Sequence, residues 1–163
     1  MNYFELFDLP VSLNPDKAAL SKKYFELQKK YHPDFFTNAT EDEQAGMLEK
    51  SSMINKGLKV LQNEDERVKY VLQLKGILED DEKYQLPAEF LMEMMELNEN
   101  LDDTKDASVA GKIAAYEAAL YKEVKDIVED YDDSKVSDND LQQIKAWYFK
   151  KKYLERILER MEG

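Results

Sequence analysis

Leu20, Tyr24, Leu27 and Tyr31 recur at spacings of four, three and four, which places them on one stripe of an amphipathic helix. Asn14 offers an N-cap, Pro15 suits the first helical position and Asp16 complements the helix dipole, so the pattern predicts a helix over 15–31. A second stripe, Met47, Ser51, Ile54, Leu58 and Leu61, follows a Thr40/Glu43 capping box and predicts a helix over 41–62. Helices of similar length joined by a connection of about nine residues pack antiparallel. Ahead of Pro10, the residues Tyr3, Phe4, Leu6, Phe7 and Leu9 leave room for little more than two helical turns, which are stable only if their rings are buried. Asn63 with Glu66 opens a short helix carrying Arg67, Val68, Tyr70, Val71 and Leu72.

The second half repeats the helical period. Phe90, Met94, Leu97 and Leu101 form a stripe that begins after Pro87. Leu91, Met92 and Met95 add a second apolar strip, flanked by Glu96, Glu99, Asp102 and Asp103. Apolar residues beyond one stripe mean either burial on two sides or an exposed contact surface. Methionine suits such a surface because its unbranched thioether repacks easily. A helix over 107–130 carries Val109, Ile113, Tyr116, Leu120, Val124 and Ile127 on one side, and 131–135 reads as a turn. Ser137 with Asp140 starts a last helix to about residue 161, with Leu141, Ile144, Tyr148, Leu154 and Leu158 inward. Phe149, Tyr153 and Ile157 widen its apolar surface. Three helices with short links predict an antiparallel bundle, and the whole chain reads as all-α.

Composition agrees, with only five glycines and four prolines and with 36% charged residues. The net charge of -12 is unevenly placed: residues 1–75 carry 11 basic against 12 acidic groups, and the remainder 12 against 23. Lys75-Gly76 ends the regular pattern and Glu79-Asp80-Asp81-Glu82-Lys83 is a charged connector, which predicts a first domain over 1–75, a connector over 76–86 and a second domain over 87–163. With three arginines and this acidity, nucleic acid is a poor partner, because duplex affinity comes mainly from neutralising phosphates. The absence of cysteine and the single histidine remove disulfides, thiolate sites and His-rich zinc sites, and nothing calls for a cofactor. No apolar run approaches the ~18 residues that span a bilayer. Asn2-Tyr3-Phe4-Glu5 lacks the basic flank of a secretory signal, so a cytoplasmic chain is expected.

The one histidine lies in Tyr31-His32-Pro33-Asp34, between the two predicted long helices. Pro33 disfavours helical backbone at His32 and lacks an amide donor, so the first helix stops near Tyr31. The following residues, 34–39, read as an exposed loop. Two readings fit: a helix stop with a capping carboxylate, or an imidazole, a rigid ring and a carboxylate displayed together at a hairpin tip. Lys22, Lys23, Lys29 and Lys30 run up to this tip as either a solvated face or a positive docking surface.

The aromatic opening segment, the basic helix, His-Pro-Asp at the tip, Ile54-Asn55 and Leu61 on the next helix, and Arg67 followed by Tyr70 together resemble a J-domain over residues 1–73. Phe35 departs from it, since many J-domains carry Lys or Arg after the tripeptide. Tyr3-Phe4-Glu5-Leu6-Phe7-Asp8-Leu9-Pro10, Ser52-Met53-Ile54-Asn55, Tyr70-Val71-Leu72 and Phe90-Leu91-Met92-Glu93-Met94-Met95-Glu96-Leu97 are similar to the HscB-type co-chaperones of iron-sulfur cluster assembly. The resemblance implies an N-terminal J-domain and a C-terminal three-helix bundle. It implies that His32, Pro33, Asp34 and the four lysines contact a DnaK/HscA-type chaperone ATPase. It further implies that Leu91, Met92, Met95, Glu96, Glu99, Asp103 and Phe149 bind an IscU-type iron-sulfur scaffold protein. The alternative is a helical adaptor with a J-like fold that activates no ATPase. An enzyme is disfavoured, because no nucleophile, base and orienting residue assemble around one histidine.

Overall fold

In the computed structural model, every regular element among the described residues is helical. The structure describes the backbone of residues 1–103 and 107–162 and the side chains of 1–99 and 110–160. The chain divides into two compact units, Met1–Val71 and Leu72–Gly163. No helix among the described residues is long and apolar enough to cross a membrane.

The first unit begins with α1, Tyr3–Leu6, followed by α2, Lys17–Tyr31, a single 3-10 turn, Pro33–Phe36, and α3, Glu41–Gln62. α4, Glu64–Leu74, starts in this unit. The predicted bounds of α3 are those observed, and Thr40 Oγ1 accepts the Glu43 amide at 3.2 Å as the capping box requires. α2 starts two residues later than expected. Its N-cap is Asp16, whose carboxylate accepts the amides of Ala18 and Ala19, whereas the Asn14 amide donates to Ser12 Oγ. A carboxylate is the stronger acceptor and complements the helix dipole, so it takes the cap.

α2 and α3 pair as a hairpin. At mid-height Gln28 Nε2 donates to Asn55 Oδ1 at 2.6 Å, and the Tyr24 hydroxyl donates to the same oxygen at 3.1 Å. Leu20, Ile54 and Leu61 are buried between the helices and α1, whose Phe4 and Phe7 lose nearly all exposure. The short α1 is stable only through this burial and a clasp from α4: the Tyr3 ring stacks on Tyr70 at 4.9 Å, and the Tyr3 amide donates to the Tyr70 hydroxyl at 2.9 Å. Burial pushes the Tyr70 hydroxyl above the ordinary tyrosine pKa.

The second unit holds α5, Ala88–Asp103, α6, Ala107–Glu129, and α7, Asp138–Glu162. Phe90, Met94, Leu97, Ile113, Leu154 and Ile157 form its core. The Leu101 and Val109 side chains, also expected inward, lie outside the described residues. On α7 the burial differs from expectation: Trp147 and Ile157 are buried, and Tyr148 and Leu158 are half-buried. Steps of three from Leu141 through Ile144 to Trp147 rotate the stripe towards the larger indole, so Trp147 rather than Tyr148 takes the interior.

The residues between α4 and α5 are fastened to this unit. Gly76, at a positive φ of 72°, lets the Ile77 amide return to the Leu72 carbonyl at 2.9 Å and close α4. Leu78 is buried, Lys75 pairs with Asp133 at 3.0 Å, and Lys145 donates to the Ile77 carbonyl at 3.0 Å and pairs with Glu82. The hydrogen bond from Lys145 holds the Glu82 carboxyl below the ordinary glutamate pKa.

Two glycines of α3 separate packing from propensity. A Cβ at Gly57 would lie 2.9 Å from ring atoms of both Phe7 and Tyr3, while one at Gly46 would meet nothing within 4 Å. Overpacking a core costs about 1–3 kcal/mol and a helical Gly→Ala change contributes about 1 kcal/mol. Urea denaturation is therefore expected to show Gly57→Ala destabilised and Gly46→Ala stabilised. Equal stabilisation of both would contradict the packing of α1 on α3.

Candidate functional site

His32, with φ -66° and ψ 131°, breaks α2 and caps the 3-10 turn that Pro33 begins. The segment expected as an exposed loop is thus partly ordered. Two backbone donors close it: the Phe35 amide reaches the His32 carbonyl at 3.0 Å, and the Asp34 amide reaches His32 Nδ1 at 3.2 Å. An Asp34 carboxylate oxygen lies 3.5 Å from the same nitrogen, and the Phe35 ring meets the imidazole edge-on at 5.9 Å. The local chain therefore sets the imidazole, the proline ring and the carboxylate as one compact group.

α3 anchors this group. Gln44 Nε2 donates to the carbonyls of Phe36 and Thr37 at 3.0 and 3.2 Å, pinning the end of the turn to the first coil of α3. Lys22, Lys29 and Lys30 are exposed along α2. Lys23 differs, being half-buried and lying 3.8 Å from Asp8 and 3.9 Å from Glu26. Lys50 of α3, which the periodicity of α2 could not indicate, joins Lys30 over the Tyr31 ring, with ammonium-to-centroid distances of 5.7 and 5.3 Å. Beside the tip, Phe35 is 66% exposed and Leu48 is exposed at the rim of a hollow lined by Pro33 and Phe36. These apolar residues have no signature in sequence, because exposure depends on the hairpin geometry.

The residues expected on the second unit fall largely on one helix. Met94 fills the core, whereas Met92 and Met95 are 65% and 61% exposed. The reading in which Met92 and Met95 pack inside the bundle is therefore excluded. Leu91 is half-buried, and Glu96 and Glu99 are exposed. Residues 91, 92, 95, 96 and 99 are linked by spacings of three and four, so they share one face of α5, a narrow apolar strip edged by carboxylates. The Asp103 side chain lies outside the described residues.

Phe149 is contributed by α7. It stands one turn before Tyr153, whose ring meets Phe90 at 5.9 Å near the start of α5, and the Lys150 ammonium lies 5.7 Å from the same Phe90 ring. Phe149 is half-buried, and Tyr84 lies flat against it with centroids 4.6 Å apart and an interplanar angle of 3°. Tyr84 is a residue that periodicity gave no reason to select. Among the described residues the chain thus presents two sets of exposed groups, the His32 tip with its lysines in one unit and the Met92/Met95 strip in the other.

Residues 86–162 match the family described as the HSCB C-terminal oligomerisation domain. A co-chaperone protein HscB homolog of Pseudoalteromonas atlantica is 42% identical over 109 residues, 66% of this chain and 62% of the relative, so the matched stretch spans less than two thirds of that protein. An HscB homolog of Vibrio vulnificus is 37% identical over 124 residues, covering 75% of this chain and 72% of the relative. The crystal structure of human co-chaperone protein HscB superposes with a TM-score of 0.81 at 27% identity, covering 99% of this chain and 81% of that one. The all-helical fold, the sequence relatives and the structural neighbour converge: this chain belongs to the HscB family of co-chaperones.

Proposed function

We propose that this protein stimulates ATP hydrolysis by a DnaK/HscA-type chaperone through its first unit and delivers an IscU-type iron-sulfur scaffold through its second. The observation that carries the reading is the ordered tip, where His32, Pro33 and Asp34 are fixed by the chain's own backbone and by Gln44 beside a lysine-bearing helix. A rigid display of this kind lets a partner read three groups at once without first ordering them. The lysines, with Lys50 added and Lys23 partly neutralised by Asp8, steer an acidic chaperone surface towards the tip. The chain has no phosphate-binding glycine loop, so the nucleotide chemistry belongs to the partner.

On α5, Leu91, Met92 and Met95 supply an adaptable apolar contact, and Glu96 and Glu99 edge it with negative charge that sets partner and register. Phe149 adds apolar area, and Asp103 joins the contact on the family resemblance alone. Joining both contacts in one chain raises the effective concentration of scaffold near chaperone, so client arrival and hydrolysis are coupled.

His32→Gln removes the imidazole from the tip without touching the core. Steady-state turnover of the chaperone is expected to fall to its basal rate, with the melting temperature and scaffold binding of this chain unchanged. Undiminished stimulation would contradict the proposed role and favour an adaptor. For the second unit, Leu91→Ala with Met92→Ala is expected to weaken scaffold binding by about tenfold or more, since each large apolar side chain buried on docking contributes ~1.5–3 kcal/mol before binding costs. Calorimetry showing undiminished affinity would rule out this face of α5 as the scaffold contact.

A further inference from the structure

We infer that Tyr84 is a positioning residue for the scaffold surface, holding the Phe149 ring of α7 in the orientation that docking uses. The inference rests on the proposed part of Phe149 in scaffold binding. A phenylalanine half-exposed on a helix turns about two side-chain torsions, and freezing it on association weakens binding. Here the ring is already packed on two sides. Tyr84 stacks on one face at 4.6 Å and 3°, and Tyr148 meets it edge-on at 5.2 Å and 78°.

The stack is held by a register between two elements of different pitch. Lys145 and Phe149 are four residues apart on α7, so they lie on one face about 6 Å apart along the axis. Glu82 and Tyr84 are two residues apart in irregular chain, which reaches at most about 7 Å. The two spacings match, and both pairs form at once: Glu82 with Lys145, and Tyr84 with Phe149. Lys145 strengthens the arrangement by donating to the Ile77 carbonyl and placing its ammonium 5.8 Å from the Tyr84 centroid. Tyr84 and Phe149 nevertheless both remain partly exposed. A tyrosine recruited only to complete the core would be buried; this one steadies a surface ring.

The test is calorimetry of the full chain with a purified IscU-type scaffold, using Tyr84→Ala, Tyr84→Phe, Phe149→Ala and the double alanine variant, each confirmed folded by its thermal melt. Tyr84→Ala is expected to weaken binding about three- to tenfold, the range of a lost aromatic pair. Tyr84→Phe, which keeps the stack, is expected to bind as the parent does. In the Phe149→Ala background, Tyr84→Ala is expected to cost nothing more, because its partner is already gone. Full affinity in Tyr84→Ala alongside a loss in Phe149→Ala would overturn the inference and leave the scaffold surface intact. Losses that add in the double variant would overturn it too, since Tyr84 would then act independently of Phe149. Full affinity in Phe149→Ala would overturn the role of Phe149 itself and the inference with it.

Discussion

A buried guanidinium at the base of the helical hairpin holds together the two helices that carry the tip. Arg67 of α4 is 6% exposed, and its Nε and Nη1 donate to the carbonyls of Leu13 and Leu61 at 2.9 and 2.8 Å. Leu61 lies in the last turn of α3, where carbonyls have no helical partner, and Leu13 precedes α2. One side chain therefore ties the two ends of the hairpin together. Desolvation lowers its pKa from the ordinary arginine value, opposed by nearby Glu64, yet an arginine stays charged under any physiological condition. Without it two carbonyls lose their donors in the interior, at ~1–3 kcal/mol each. The tip sits about 22 Å away along the 15-residue α2, where Gln44 pins the turn to the opposite end of the hairpin.

Much of this was legible in the sequence because helices announce themselves by period. The bounds of α3, the Thr40, Asn63 and Ser137 caps and the buried Leu20, Ile54, Phe90, Met94 and Ile113 follow from spacing and capping chemistry alone. Errors arose where two local signals competed. Asn14 and Asp16 both suit an N-cap, and Trp147 and Tyr148 are adjacent on the edge of one stripe. The 3-10 turn was missed because it has no period to read. Met92 and Met95 could be assigned to surface or core only once Met94 was seen to occupy the interior.

The role of Arg67 and the stack of Tyr84 on Phe149 belong to a different category. Each joins residues more than 50 positions apart, Arg67 with Leu13 and Tyr84 with Phe149, and no local pattern encodes such a meeting. They also share a logic. In both units a contact distant in sequence braces a helix: Arg67 joins the two ends of the hairpin, and Tyr84 lies flat on the Phe149 ring of α7. Met92, Met95, Phe35 and Leu48, by contrast, remain exposed.

The proposed coupling joins the α5 face and the His32 tip through one chain. Its most direct measurement is the steady-state ATP turnover of a DnaK/HscA-type chaperone, with this protein alone, with an IscU-type scaffold alone, and with both at concentrations below saturation. Both together are expected to raise turnover well beyond the sum of the separate effects, because one chain holding client and trigger would bring them to the chaperone at once. Rates that merely add would contradict it.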